Sequence, residues 1–475
     1  AVSRSLGFVK SPIHGAFEVE SVPAIQDHRD TRQPEGARHH LQVSLNKTNG
    51  EEEIFITKDE RDFMKRFAKA NFKKYVPGLA QLRVFNYKQS IMGIRAQGSS
   101  SINTKTSPGL PYKLEKGVKG KAPFIKYDEV YKNWDIQQRV FDDCDMYMDK
   151  YESHQIPFNF KGEFRKKELV SQEKIDNPKT RTVATGNLIH QIIYGMYTKD
   201  LYTMTKNVWN NGGSSPFALG VDAERHWDQV AEHLEFHDCV YDFDIKAWEK
   251  KICLNLLLLN TEVIYELMDE AYKSRGEKFP LSKAIIDGIA IDFTDTEVIF
   301  EDVMYRKRSG LLSGHPGTFM ENSNIHLMLV GLIVFRLLRD KHPAWANIPF
   351  IMAHVKIILA ADDIQIALSP MIRRIISAQD LIAGYAELTF EVTAADKSKN
   401  IKQKKLTESQ FLKHTYRQNE EGVFYAVPNT SIIYQLFNWI RDDTKMTLDE
   451  QFTINLQNAF RFAFWRGEEE YEQIR

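Results

Sequence analysis

The sequence predicts an α+β fold, and three observations carry that expectation. Apolar residues recur at helical spacing in several stretches, short apolar runs that alternate flank a pair of aspartates, and the two patterns are mixed without a regular strand–helix rhythm. At 475 residues, about one domain per ~150 residues leaves room for three lobes and a real core. Hydrophobic residues are 43% and charged residues 27%, which describes a folded globular chain and excludes a disordered or fibrous one.

In chain order, residues 1–60 hold Pro12, Pro23, Pro34 and the polar stretch 46–53, and read as an extended segment lying over other parts. Residues 57–75 place Phe63, Phe67 and Phe72 on one face of an amphipathic helix. The run 98–112 (GSSSINTKTSPGLPY) is a loop by composition. Helices are expected over 127–151, 220–236 and 254–273, and a strongly apolar one, buried on most sides, over 318–338. Val355–Ala360 and 364–368 read as strands, and the last 60 residues carry aromatic and apolar positions at helical spacing.

The longest apolar run, 327–335, is nine residues long and meets Arg336, short of the ~20 that a spanning helix needs, so no transmembrane segment is expected. The start, AVSRSLGFVK, has no apolar signal core and no initiator Met, which suggests a cut precursor or a trimmed chain. Cys144, Cys239 and Cys253 form no CxxC pair, which excludes a disulfide framework and a cysteine-rich zinc site and fits a reducing compartment. With 63 basic and 64 acidic residues the net charge is −1, so any polyanion site must come from local sorting of charge.

The dozen residues 357–368 (IILAADDIQIAL) set Asp362 and Asp363 at the tip of a strand–turn–strand. Adjacent carboxylates repel, and a hard divalent cation such as Mg²⁺ relieves the repulsion. Alone, the pair also reads as a solvated turn. A second acid run, 240–250 (VYDFDIKAWEK), would put Asp242 and Asp244 on one face of a strand, with Glu249 following. Acids delivered from two strands are what a two-metal phosphoryl-transfer site requires. The plainer alternative is a polar strand end before a helix.

Between them, 308–318 (RSGLLSGHPGT) offers backbone N–H groups and hydroxyls before a helix, suited to phosphate or ribose, or else is a flexible connector. Residues 161–181 hold seven Lys/Arg against four acids, and 396–417 hold seven against two. Such runs serve as solvated faces, or as contacts to triphosphate and nucleic acid.

Taken in order, these motifs resemble those of the RNA-dependent RNA polymerases of positive-strand picorna-like viruses. TSPGLPY (106–112) resembles the motif where template enters, KKELVSQEKIDNPKTR (166–181) the fingers motif that grips the triphosphate, and FDIKAWE (243–249) the first metal-binding motif. SGLLSGHPGTFMEN (309–322) resembles the ribose-sensing loop and helix, and LAADD (359–363) stands at the family's Tyr-Gly-Asp-Asp. TAADKSKN (393–400), FLKH (411–414) and RGEEEY (466–471) resemble the protonating-lysine motif, the primer grip and a thumb segment.

The resemblance implies a right-hand polymerase fold whose antiparallel palm sheet is backed by helices. Its lobes would be fingers at 1–187 with an N-terminal segment bridging to the thumb, palm at 188–251 and 304–418, a fingers insertion at 252–303, and a short or incomplete thumb at 419–475. It implies that Asp244 and Asp362, with Asp363 beside them, hold two Mg²⁺ ions, for which Mn²⁺ substitutes, and that Lys397 protonates the departing pyrophosphate. Lys174, Lys179 and Arg181 would hold the triphosphate; Glu249, Ser313, Gly314, Thr318 and Asn322 would read the ribose and position the nucleotide. Thr106, Ser107, Gly109, Lys166 and Lys413 would touch RNA.

The implied partners are an RNA template and primer, NTPs, a small viral protein primer and other replication proteins, in the host cytoplasm at replication complexes or inside the virion. Three positions depart from the family pattern. Glu249 replaces an aspartate near the ribose 2′-OH, Ala360-Ala361 replaces Tyr-Gly, and Val170 replaces an arginine. Alanine fits that turn if its φ stays negative. A polymerase-like protein with impaired catalysis and a non-enzymatic RNA-binding protein are the alternative readings.

Overall fold

The computed structural model describes residues 6–26, 30–32, 54–157, 160–177, 180–301, 303–311, 313–395, 401–442 and 445–475. They fall into two packed units, one of 51–163 with 184–406, the other of 1–50 with 164–183 and 407–475.

The larger unit contains, in chain order, helices α1 (Lys58–Tyr75), α2 (Gln138–Glu152) and α3 (Leu188–Asn210), strand β1 (Val240–Ile245), and helices α4 (Leu254–Ser274), α5 (Lys283–Thr294) and α6 (Thr318–Lys341). Strands β2 (Val355–Ala360) and β3 (Asp363–Leu368), helix α7 (Ala378–Glu387) and strand β4 (Val392–Ala394) follow. The four strands form one sheet in the order β2–β3–β1–β4, with antiparallel neighbours throughout. Phe243, Ile245, Ile364, Ile366 and Leu368 are buried in it. Helix α6 is long and apolar enough to cross a membrane, yet 83% of that window is buried inside the protein, so it is the core helix the sequence predicts.

Helix α1 starts where Thr57 and Glu60 cap each other: the Glu60 N–H donates to Thr57 Oγ1 at 3.3 Å, and the Thr57 N–H to Glu60 Oε2 at 3.0 Å. Arg336 of α6 grips the same carboxylate at 2.8 and 2.9 Å, which holds it at about 2 despite its burial. Phe63 stacks on Phe335 at 4.2 Å between ring centroids, so the predicted aromatic face of α1 docks on α6. A hairpin, Thr296–Phe300 with Val303–Lys307, adds residues 160–163 as a parallel neighbour of 297–300.

Two expected helices are shorter than predicted. Residues 127–137 belong mainly to a hairpin, Ile125–Asp128 with Asn133–Ile136. Asp128 Oδ1 accepts the N–H groups of Val130 and Tyr131 at 2.8 and 3.0 Å, a side-chain turn that competes with helix formation. Within 220–236 only Trp227–Leu234 is α-helical, because Gly220 sits at φ 91 and Asp222 Oδ1 turns the chain by accepting the Glu224 N–H at 3.0 Å.

In the smaller unit the described part of the N-terminal segment pairs twice as a strand, with a run of turns at 12–17 between the two; most of the rest of the expected extended segment lies outside the described residues. Phe8–Lys10 runs antiparallel to Trp439–Arg441, and Ser21–Pro23 antiparallel to Leu169–Ser171. A hairpin, His414–Gln418 with Phe424–Pro428, precedes the helices Thr430–Asn438, Leu448–Phe464 and Glu468–Ile474. The C-terminal helical spacing is thus real, with strands interleaved that periodicity did not reveal.

Candidate active site

Strand register brings the acids together. Ile364 pairs with Phe243 and Gln365 with Asp242; one step further, the antiparallel register sets Asp363 opposite Asp244 at the open end of the ladder. On its other side Asp244 pairs with Thr393, whose Oγ1 donates to the Asp244 carbonyl at 3.3 Å. Asp362 occupies the two-residue turn closed by the Ala360–Asp363 pair. All three side chains are half-buried at the rim of the sheet.

Half-exposed carboxylates at adjoining strand ends are hard oxygen donors. They match Mg²⁺, which takes one or two carboxylates and completes its shell with water and substrate phosphates. Among the described residues no three or more His, Cys, Asp or Glu side chains form a ready-made metal cage.

Asp242 shares the face of Asp244, as period two requires, but has another role. It is 2% exposed, and Lys404 Nζ donates to both its oxygens at 2.8 and 3.0 Å. Its charge is answered inside the protein. Nothing in the sequence around the lysines at 402, 404, 405 and 413 marks Lys404 as the buried one.

The turn itself corrects one expectation. Ala361 has φ 64, in the left-handed region, so the negative φ on which an easy fit of alanine depends is not met. A two-residue hairpin with positive φ only at its first position favours glycine there, and an L-residue pays roughly 1–2 kcal/mol. Ala247, within the acid run 240–250, is left-handed too, at φ 54, and turns the chain from β1 into the short helix Trp248–Lys251.

That turn aims Glu249 at the glycine–serine loop. Ser313 Oγ donates to Glu249 Oε2 at 2.6 Å, and the N–H groups of Gly310 and Leu311 donate to the carbonyls of Ile252 and Glu249, each at 2.7 Å. The loop is strapped to the acid run and is no free connector. Gly314 sits at φ 105, which requires glycine. Thr318 opens α6 with its hydroxyl donating to the His315 carbonyl at 2.7 Å, and buried Asn322 accepts from Trp248 Nε1 at 3.0 Å. The five expected ribose residues therefore lie in one linked stretch, with the Thr318 hydroxyl and Asn322 carbonyl engaged internally.

Helix α6 also carries residues that sequence reading passed over. Ser323 Oγ accepts the Ala361 N–H at 2.9 Å, and His326 Nδ1 lies 2.9 Å from the Ala361 carbonyl, to which it donates. Burial pushes the His326 imidazole down to about 4, so it is neutral at pH 7. A polar pair at the head of an apolar run was the available signal, and it was lost in the apolar stretch that follows.

The template-loop residues are also in the larger unit. Gly109 is left-handed at φ 71, and an added Cβ would lie 2.4 Å from the Gly186 carbonyl oxygen. Ser107 Oγ accepts the Gly109 N–H at 3.2 Å, while Lys121 Nζ donates to Thr106 Oγ1. Lys166, Lys174, Arg181 and Lys413 belong to the smaller unit and are exposed. Arg181 forks onto Glu168, its Nε at 3.0 Å from each carboxylate oxygen. Lys413 and Leu412 are both left-handed, at φ 60 and 50. Lys179 and Lys397 lie outside the described residues.

Comparison with known proteins shows the family and the fold. Residues 47–475 match the family model described as viral RNA-dependent RNA polymerase. The chain is 25% identical over 389 residues to the genome polyprotein of human hepatitis A virus genotype IIIA, covering 80% of this chain and 16% of the polyprotein. It is 22% identical over 403 residues to the replicase polyprotein of Drosophila C virus, covering 83% of this chain and 22% of that one. Its fold matches a Sicinivirus 3Dpol RNA-dependent RNA polymerase with a TM-score of 0.79 at 17% identity, over 100% of this chain and 90% of the other, which shows the right-hand polymerase fold.

Proposed function

This chain belongs to the viral RNA-dependent RNA polymerase family, and from that membership we propose that it extends an RNA primer with nucleotides from NTPs on an RNA template. The observation that carries the reading is the sheet register that sets Asp363 opposite Asp244, with Asp362 in the adjoining turn.

The family uses divalent metal ions, and here Asp244, Asp362 and Asp363 would hold two Mg²⁺ ions, with Mn²⁺ able to substitute. When bound, such ions supply charge stabilisation for an in-line displacement at phosphorus. The primer 3′-hydroxyl gives up its proton to solvent water as its oxygen bonds to the α-phosphorus, the bond to the pyrophosphate oxygen breaks, and Lys397 would donate the proton that pyrophosphate takes up and recover one from solvent. Ser313 orients the Glu249 carboxylate, which remains able to accept a ribose hydroxyl proton on its other oxygen; Gly314, Thr318 and Asn322 shape the same pocket. Lys174, Lys179 and Arg181 would take the triphosphate, with Arg181 released from Glu168 as phosphate arrives. Thr106, Ser107, Gly109, Lys166 and Lys413 would contact RNA.

The lobes would follow the sequence assignment: fingers 1–187, palm 188–251 and 304–418, an insertion at 252–303 and thumb from 419. Pairing of the N-terminal segment with both 169–171 and 439–441 supports its bridging role. Relatives with polyprotein names support partners among other viral proteins. A small protein primer, and work in the host cytoplasm at replication complexes or within the virion, belong to the same proposal. The chain spans about a fifth or less of those polyproteins, at 16% and 22% of their lengths.

Extension of an oligo(U) primer on poly(A) with labelled UTP and Mg²⁺ tests the reading. Mg²⁺-dependent extension is expected. RNA binding without extension would favour a polymerase-like protein with impaired catalysis, and loss of both would overturn the assignment.

A further inference from the structure

We infer that His326 and Ser323 are positioning residues that hold the Asp362–Asp363 turn in its left-handed shape, a device made necessary by the alanine at 361. The inference rests on the polymerase reading for its kinetic consequence, but on geometry alone for the clamp.

Both backbone polar groups of Ala361 are gripped from one helix. Its N–H goes to Ser323 Oγ at 2.9 Å, and its carbonyl takes the His326 Nδ1 proton at 2.9 Å. Neither holder is free to move. Ser323 passes its own proton to the Phe319 carbonyl at 2.8 Å, and His326 Nε2 accepts the Tyr385 hydroxyl proton at 2.8 Å. With Nε2 an acceptor, the tautomer that donates from Nδ1 is fixed. Trp248 packs against the His326 ring with centroids 4.4 Å apart, and its Nε1 is tied to Asn322 at 3.0 Å. Ser323, His326 and Tyr385 are fully buried.

The consequence is a rack. Trp248 sits next to Glu249, and Ala361 next to Asp362, so α6 ties the segment following Asp244 to the turn bearing the other two aspartates. An alanine at φ 64 relaxes toward negative φ unless something holds it, and rotation there would swing Asp362 away from Asp244. Glycine would hold that φ at no steric cost and would need the clamp less.

The test is a cycle of His326→Leu, Ser323→Ala and Ala361→Gly, with His326→Asn as the conservative variant, whose amide nitrogen reproduces the Nδ1 donor. Amide hydrogen exchange over 359–364 reads the turn without any nucleotide or metal. Loss of one clamp bond should speed exchange there about fivefold, the worth of one net hydrogen bond, with β1 unchanged. Single-nucleotide incorporation should fall ~10–100-fold in kcat for His326→Leu, as for loss of a group that orients a ligand, while KM for NTP stays within about twofold. His326→Asn should recover most of the rate. Adding Ala361→Gly to His326→Leu, or to Ser323→Ala, should restore both exchange and kcat. Equal losses with glycine or alanine at 361, or exchange accelerated across the whole sheet, would overturn the clamp. A wild-type chain that fails to extend primers would sink the polymerase reading, and the exchange data would still decide the clamp.

Discussion

Asp242 and Asp244 lie two residues apart on the same face of one strand, and the protein treats them oppositely. Asp242 is buried against Lys404, with both oxygens filled at 2.8 and 3.0 Å. Asp244 is half-buried at the rim, in register with Asp363 and beside the Asp362 turn. A buried carboxylate must carry its own counter-charge, while a rim carboxylate can be completed by an incoming cation. Acids on one face of a strand thus need not share a role. One end of β1 is structural, and the other is where we propose that the chemistry occurs.

Removing the rim should hurt activity most. Asp362→Ala is expected to cut nucleotide incorporation by more than the ~10–100-fold typical of losing a mere supporting partner, with unfolding and RNA affinity little changed. Asp363→Ala should cost less if it is the less direct ligand. Incorporation above a few per cent of wild type by Asp362→Ala would break the comparison from the functional side.

Removing the buried counter-charge should hurt stability most. Lys404→Met strips the buried Asp242 carboxylate of its lysine counter-charge, a loss of about 3–5 kcal/mol in chemical denaturation. The double variant Asp242→Asn with Lys404→Met should recover most of it. A loss below ~1 kcal/mol would place the pair in the class of exposed ion pairs.

Much of this was legible beforehand. The order of motifs identified both acid strands, the helix after the glycine–serine loop, and the strand–turn–strand around Asp362, because period two and period 3.6 are written into the apolar positions. What escaped were choices made by tertiary context. Lys404 looks like its neighbouring lysines, and only its burial against Asp242 distinguishes it. His326 reads as one polar residue at the head of an apolar helix, and its partner Ala361 is 35 positions away. The hairpin at 125–136 was hidden because one Asp128 side chain, capping two N–H groups, outweighs a weak helical pattern.

Acid should work against the buried histidines. Burial pushes His233 and His326 each down to about 4, from an ordinary value of 6.5, and pushes His315 well below its ordinary value too. The unfolded chain binds these protons first, so their contribution is present above pH 6.5 and is lost as pH falls toward 4. Glu321, pushed up to about 7 by burial, acts in the opposite sense over pH 4.5–7. Two histidines lose about 2 kcal/mol each between pH 7 and 5 against about 2 gained by one glutamic acid, so a net loss of at least ~2 kcal/mol is expected in urea titrations. Flat stability over that window would show that these groups titrate normally.

The smallest effect concerns the turn. Ala361→Gly should raise stability by about 1 kcal/mol, the left-handed strain less the greater freedom of unfolded glycine. A fall would mean that the alanine methyl group is worth more in packing than it costs in strain.

The central claim is that chemistry sits at the rim of β1 and not along its acid face as a whole. Single-turnover, Mg²⁺-dependent incorporation of UMP on a poly(A) template, compared between Asp244→Asn and the Asp242→Asn, Lys404→Met double variant, tests it most directly. The first should lose incorporation while the second, folded and RNA-binding, should keep it within about tenfold of wild type, since a neutral pair replaces an internally matched one. Incorporation retained by Asp244→Asn, or abolished in a well-folded double variant, would contradict it.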